Sequence, residues 1–261
     1  MSARPDPTRL DDKVALVTGS SSGIGFAAAF RLAELGARVV VNARTQARCD
    51  EAAAKIAGAG GDARGVAADL TTPSGVETLF ERALAAYGTV DILVNNAGIP
   101  SIKPAEELSL EDWRRTLELN LTAPFLCAQA AGRIMLAKGS GVIVNVSSML
   151  AHISLPGRIA YIVSKRGLDG ITSSLGVEWA KRGVRVVSVN PAYVRTPLVD
   201  GAMARGGFAL DDVEGRTPLG RIASPEEVAN VIAFLASPAA AYVTATDVLI
   251  DGGWTQYGGW S

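Results

Sequence analysis

Short apolar runs rich in Val, Ile and Ala recur along the chain and alternate with longer segments rich in Ala, Leu, Glu and Arg. The runs at 14–18, 38–42, 63–67, 92–95, 141–146, 184–189 and 247–250 read as strands. Most do not alternate apolar with polar residues, as expected of strands covered on both faces of a parallel sheet. The segments 25–35, 46–57 and 74–87 have helical character, and Gly36, Gly58 and Gly88 stand where a helix end favours glycine. Ser109 through Asp112 has the form of a capping box with Asp in the last place, opening a helix ahead of a longer one that runs to about Lys138. Ser224 followed by Pro225 opens the last helix. This order predicts an α/β fold: a doubly wound, Rossmann-type parallel sheet of about seven strands with helices on both faces. Residues 1–12 are expected to form a flexible tail and 13–261 a single domain. The long irregular stretch 196–221 carries Met203, Phe208 and Leu210 and is expected to close over a site as a lid.

Composition narrows the function classes. The 261 residues suffice to bury a sheet on both faces. Lys and Arg total 25 against 26 Asp and Glu, a net charge of −1, so no overall field selects nucleic acid or an anionic membrane. No apolar run approaches bilayer-spanning length, and the N-terminus lacks the apolar core of a secretion signal, so a soluble cytoplasmic protein is expected. Cys49 and Cys127 lack CxxC spacing, and His152, the only histidine, is expected to have no ligand cluster around it. Neither a disulfide nor a metal site is expected.

Candidate chemistry begins after the first strand, at Thr18-Gly19-Ser20-Ser21-Ser22-Gly23-Ile24-Gly25. Glycines between a strand and a helix let the backbone approach a pyrophosphate, and the helix start offers free N–H groups and the positive end of its dipole. A second feature is the pair Tyr161 and Lys165, which leave one helix face together at i and i+4.

With Asp69 and Leu70 after the third strand, Asn95-Asn96-Ala97-Gly98 after the fourth, then Asn120, Ser148, Pro191, Thr196 and Asp251-Gly252-Gly253, these motifs resemble the short-chain dehydrogenase/reductase family in its single-domain branch. The resemblance covers nearly all of the chain and implies hydride transfer between a nicotinamide cofactor and a carbonyl or secondary alcohol. It implies a cofactor site at Gly19, Ser21, Ser22, Gly23, Ile24, Gly25, Arg44, Asp69, Leu70, Asn96, Ala97, Gly98, Tyr161, Lys165, Pro191, Val194 and Thr196. It implies a catalytic set of Asn120, Ser148, Tyr161 and Lys165: Ser148 orients the substrate oxygen, Tyr161 is the acid/base, and Asn120 anchors a water relay to Lys165 with a local helix distortion. On the residues alone, Asp69 is also a turn-capping Asp, Asn120 also a cap between two helices, and Ser147 competes with Ser148. Ala192 replaces the usual glycine after Pro191 and is expected to reshape the pocket beside the nicotinamide.

Magnitudes support Tyr161. Bringing a phenol from about 10 to neutrality requires roughly 4 kcal/mol of preferential phenolate stabilisation, and one ammonium at ~4 Å supplies about that much at an effective dielectric of 20. For the cofactor, the second strand ends in Asn42, Ala43 and Arg44, with a cation and no acid to meet the ribose, which favours NADP(H), with NAD(H) possible. The competing reading stacks Arg44 on the adenine or leaves it in solvent. The rival enzymes are a 3-oxoacyl thioester reductase and a sugar or polyol dehydrogenase; a non-enzymatic NADP-binding regulator is the alternative of another class. His152 is left outside the catalytic set. Trp113, Trp179, Trp254 and Trp260 are expected in the core or at interfaces. The resemblance further implies a homo-oligomer, a tetramer ahead of a dimer.

Overall fold

The β-branched, unalternating runs pair edge to edge, because they can bury both faces only inside a parallel sheet, whereas the edge run 62–67 alternates exposed with buried residues. In the computed structural model, which describes residues 6–204 and 208–259, the strands are β1 (Val14–Val17), β2 (Arg38–Ala43), β3 (Asp62–Ala67), β4 (Ile92–Asn95), β5 (Gly141–Val146), β6 (Val184–Pro191) and β7 (Thr246–Ile250). They form one parallel sheet in the order β3-β2-β1-β4-β5-β6-β7. Neighbouring side chains along a strand take opposite faces. Ala15, Val17, Val39, Val41, Ile92 and Val94 pack with α1 (Gly23–Glu34), α2 (Gln46–Gly58) and α9 (Pro225–Ala236). Leu16, Val40, Leu93 and Ile143 pack on the other face with α3 (Pro73–Tyr87), α5 (Ala123–Lys138) and α6 (Ile159–Trp179). The sheet is doubly wound, as expected, in a single Rossmann-type domain.

Several expectations are corrected. Gly58 is the last residue of α2 and not its stop; Ala59 is the cap, and the left-handed turn falls on Gly60, with φ of +91°. The tail is fastened from Asp6 onward: Leu10 is buried, its N–H donates to Leu35 O at 2.8 Å, and Pro7 O accepts from Ala239 N–H at 3.0 Å. The stretch 196–221 is not irregular, since it holds α7 (Pro197–Ala204) and α8 (Leu210–Arg216), while Arg205 lies outside the described residues. The box at Ser109 closes by half. Its hydroxyl accepts from Asp112 N–H at 3.1 Å as it caps α4 (Leu110–Leu117), but the Asp side chain stops short of the cap backbone and takes the Ser109 hydroxyl instead, at 2.8 Å. At Ser224 the longer Glu227 completes the reciprocal pair.

Chain order reverses between β1 and β4, which are neighbours in the sheet. A crevice opens at such a point at the carboxyl ends of the strands, and every loop carrying candidate chemistry reaches it.

Candidate active site

The glycine loop between β1 and α1 is held against the loop after β4. Thr18 Oγ1 accepts from the N–H groups of Asn96 and Ala97 at 2.9 and 3.0 Å, and Asn96 Nδ2 donates to the carbonyls of Thr18 and Gly19 at 3.0 and 2.9 Å. This closeness requires glycine at two points: a Cβ on Gly19, which has φ of +60°, would lie 2.8 Å from Ala97 Cα, and one on Gly25 would lie 2.3 Å from Asn96 Nδ2. Ser20 turns inward, donating to Val17 O at 2.6 Å, whereas Ser21 and Ser22 face a cavity of about 790 Å³. Ser22 caps α1 without a side-chain hydrogen bond, so the first amides of that helix keep their donors free of a side-chain cap.

All the residues expected at the cofactor, from Gly19 to Thr196, line this one cavity. Arg44 stands at its rim and enters no ion pair among the described residues. Asp69 lines the cavity, and its carboxylate accepts from Thr71 N–H at 3.0 Å, a turn-capping bond that holds the carboxyl below the usual range. Ala192 keeps a negative φ, so the missing glycine costs no backbone strain there. Other lining groups escaped the sequence reading, among them Arg48 in the first turn of α2, Ile99 with Pro100 beyond the Asn96 turn, and Arg115 with Glu118. Arg48 was legible as a second cation one helical turn past Arg44.

The floor is built by β5 and α6. Ser147 donates to Lys165 O at 3.2 Å and is buried, so it secures the helix to the strand end. Both serines line the cavity, but it is Ser148 that hydrogen-bonds the Tyr161 phenol, and this contact separates the two. Lys165 Nζ donates to Val146 O at 2.8 Å and lies 5.6 Å from the centre of the Tyr161 ring. Asn120 is fully buried in a π-helical turn, Glu118–Thr122, between α4 and α5. Its carboxamide pairs with Ile99, accepting from N–H and donating to O at 2.9 Å each, and donates to Ser164 Oγ at 3.2 Å. Asn120 therefore ties the Asn96 turn to α6, with its Oδ1 and Lys165 Nζ both within 4 Å of the space beside Gly98.

The electrostatics differ from the expectation. Burial brings the Lys165 ammonium down to about 8, against an opposing pull from Asp169. Burial also pushes the Tyr161 phenol up, outweighing the lowering effect of the Ser148 hydrogen bond. No lowering by Lys165 offsets the effect of burial on the Tyr161 phenol, and the ammonium is turned to Val146 O at 2.8 Å.

The family model described as enoyl-(acyl carrier protein) reductase matches residues 19–255. The chain belongs to the short-chain dehydrogenase/reductase family. As such it is an oxidoreductase acting on CH–OH groups. This short-chain dehydrogenase/reductase is 44% identical to D-threitol dehydrogenase of Mycolicibacterium smegmatis over 95% of its own length and 94% of that protein. It is similar in structure to a short-chain type dehydrogenase/reductase from Mycobacterium marinum, with 39% identity, a TM-score of 0.91, and coverage of 96% and 98% of the two chains. It is also similar to a gluconate 5-dehydrogenase from Burkholderia cenocepacia J2315 in complex with NADP and tartrate, with 33% identity, a TM-score of 0.92, and coverage of 97% and 98%.

Elsewhere in this short-chain dehydrogenase/reductase, Trp179 and Trp254 are buried, Trp113 is half-buried and Trp260 lies outside the described residues. Trp254 joins Tyr193 and Phe208 in a third apolar cluster beneath α8. His152 lines no part of the cavity, and the expectation that it lacks ligand-type neighbours is corrected: in space it meets Asp169 and Asp247. No helix among the described residues is long and apolar enough to cross a membrane.

The Lys165 ammonium has an ordinary value of 10.5 and is depressed by folding to about 8, so the unfolded chain binds the proton more strongly between those values. The resulting destabilisation is fully present below pH 8 and is relieved as the pH rises toward 10.5. In denaturant titrations of cofactor-free protein, the stability of wild type relative to Lys165→Met should rise by about 2 to 3 kcal/mol between pH ~7 and ~10. A difference that does not change with pH would contradict a desolvated ammonium.

Proposed function

We propose that this enzyme interconverts a secondary alcohol and its carbonyl compound with NADP(H) as the preferred cofactor. The observation that carries this is the meeting of Ser148 and Tyr161 on the wall of the same cavity that the glycine loop and Arg44 line at its other end. Residues that fit the cofactor are in place: glycines whose missing Cβ atoms leave room beside Ala97 and Asn96, uncapped α1 amides for a pyrophosphate, and a cationic rim for a phosphate. The cofactor, when bound, donates or accepts the hydride. Ser148 donates a hydrogen bond to the substrate oxygen and orients it toward Tyr161. The Tyr161 O–H gives its proton to that oxygen as the carbonyl is reduced, and takes it back as the alcohol is oxidised. Burial keeps the phenol protonated, which suits the reductive direction. Around Tyr161, Lys165 ties α6 to the end of β5, and Asn120 ties α6 to the loop after the Asn96 turn.

The preference for NADP rests on Arg44 and Arg48 together, with Ala43 where a carboxylate would be needed to accept from a ribose hydroxyl. A polyol or sugar acid is the second reading for the substrate, favoured by the names of the similar D-threitol and gluconate enzymes. A carrier-bound thioester is less well supported, because Arg216 is engaged by Tyr257 O at 2.7 Å and by the rings of Trp254 and Tyr257. Exposed Phe125, Val163 and Val177 on α5 and α6 support assembly as a homo-oligomer, a tetramer ahead of a dimer.

Tyr161→Phe, assayed on ketones, secondary alcohols and polyols with cofactor binding followed separately, should lose turnover by roughly 10² to 10⁴ and keep its cofactor affinity. Retained turnover would overturn the assignment. Arg44→Asp should shift the NADP-to-NAD ratio of kcat/KM toward NAD by about ten- to a hundredfold. An unchanged ratio would remove the cofactor preference while leaving the chemistry at Tyr161 intact.

A further inference from the structure

Outside the active-site cavity, three ligand-type side chains converge from three elements. His152 follows the short 3-10 turn after Ser148, Asp169 lies on α6 one turn beyond Lys165, and Asp247 lies on β7. One donor atom from each lies within 4.8 Å of the others. Asp169 Oδ1 is occupied by the Ser188 hydroxyl at 3.0 Å, which leaves Oδ2 for the cluster. Neither carboxylate has a Lys or Arg partner within ion-pair distance among the described residues; the imidazole of His152 is the one basic group, 2.7 Å from Asp247 Oδ2.

A fourth group comes from β6. Asn190 is fully buried, and its amide end points into the cluster, with Nδ2 at 2.9 Å from both Asp169 Oδ2 and His152 Nε2. Its Oδ1 has no hydrogen-bond partner among the described residues.

These contacts conflict as hydrogen bonds. If His152 Nε2 carries a proton for Asp247, that N–H confronts the Asn190 amide N–H₂; if it does not, its lone pair confronts the Asp247 carboxylate. Turning the amide over sets Asn190 Oδ1 against the Asp169 carboxylate, and the orientation of such an amide is assigned from its contacts in the first place. A cation removes the conflict, because it accepts the imidazole lone pair, one oxygen from each Asp and the overturned Asn190 Oδ1 together.

We propose that His152, Asp169, Asn190 and Asp247 bind a divalent first-row transition cation, outside the active-site cavity, that clips the Ser148 turn, α6, β6 and β7 together. An imidazole nitrogen among oxygen ligands favours Zn²⁺ or Mn²⁺ over Mg²⁺ or Ca²⁺. The net charge of the two ionised acids with a neutral imidazole matches a divalent ion. The side chains of His152 and Asp247 are 35% and 33% exposed, which gives the ion an entry path from solvent.

The test uses full-length, tag-free protein treated with a chelator and then titrated with Zn²⁺, Mn²⁺ and Mg²⁺ by calorimetry and by NMR. His152 is the only histidine, so its ring gives a single reporter signal. One saturable site per chain is expected for Zn²⁺, with a shifted His152 resonance, a raised Tm, and broadening of that resonance by Mn²⁺. His152→Gln and Asp247→Asn should each weaken Zn²⁺ binding by about tenfold or more while NADPH affinity, read by fluorescence, certifies the fold. Absence of saturable Zn²⁺ and Mn²⁺ binding to wild type would overturn the site, as would equal binding by folded variants. Neither result bears on hydride transfer at Tyr161.

Discussion

Lys165 is an ammonium taken out of water, and among the described residues it has no carboxylate within ion-pair distance; its hydrogen-bond partner there is a carbonyl, Val146 O, at 2.8 Å. Burying a charge on those terms is costly. The surrounding chain accommodates it by fixing everything within reach. Ser147 pins the helix backbone at Lys165 O, Asn120 pins both the Asn96 turn and Ser164, and a π-helical turn puts the Asn120 carboxamide at the required depth. The same depth desolvates Tyr161. The site is thus poised with a protonated phenol and a weakly held lysine proton, a state that favours ligands able to hydrogen-bond both.

The fold delivers these groups through one topological event, the reversal of strand order beside β1. Because β1 and β4 are neighbours, the loops after them touch, and Thr18 can serve two amides of the β4 loop at once. The glycines belong to this contact as much as to any ligand: Gly19 and Gly25 are required by Ala97 and Asn96 before a pyrophosphate is considered. Binding loop and sheet are therefore stabilised by the same hydrogen bonds, which links sequence at Thr18 to packing at β4 and to the shape of the cavity.

Much of this was legible in the chain. The strands were, because Val and Ile crowd into runs that only a two-faced burial can use, and predicted and observed limits agree at β4 and β5. Helices α7 and α8 were not, because each spans only about two turns amid glycines and takes its order from tertiary contacts such as Phe208 on Tyr193. Spacing singled out Ser148 and geometry then explained Ser147. The direction of the Tyr161 shift was illegible, since it depends on how deeply two side chains are buried and not on their separation along a helix. The neighbours of His152 were equally hidden: they arrive from α6, β6 and β7, and no local spacing records the meeting.

Until a cofactor is present, burial and not Lys165 governs the Tyr161 proton. This is tested most directly by ultraviolet difference titration of the cofactor-free enzyme against Tyr161→Phe, which isolates the phenolate signal of that one residue. This tyrosine should ionise above the ordinary value of 10.0. Ionisation near neutral pH in the absence of cofactor would contradict it.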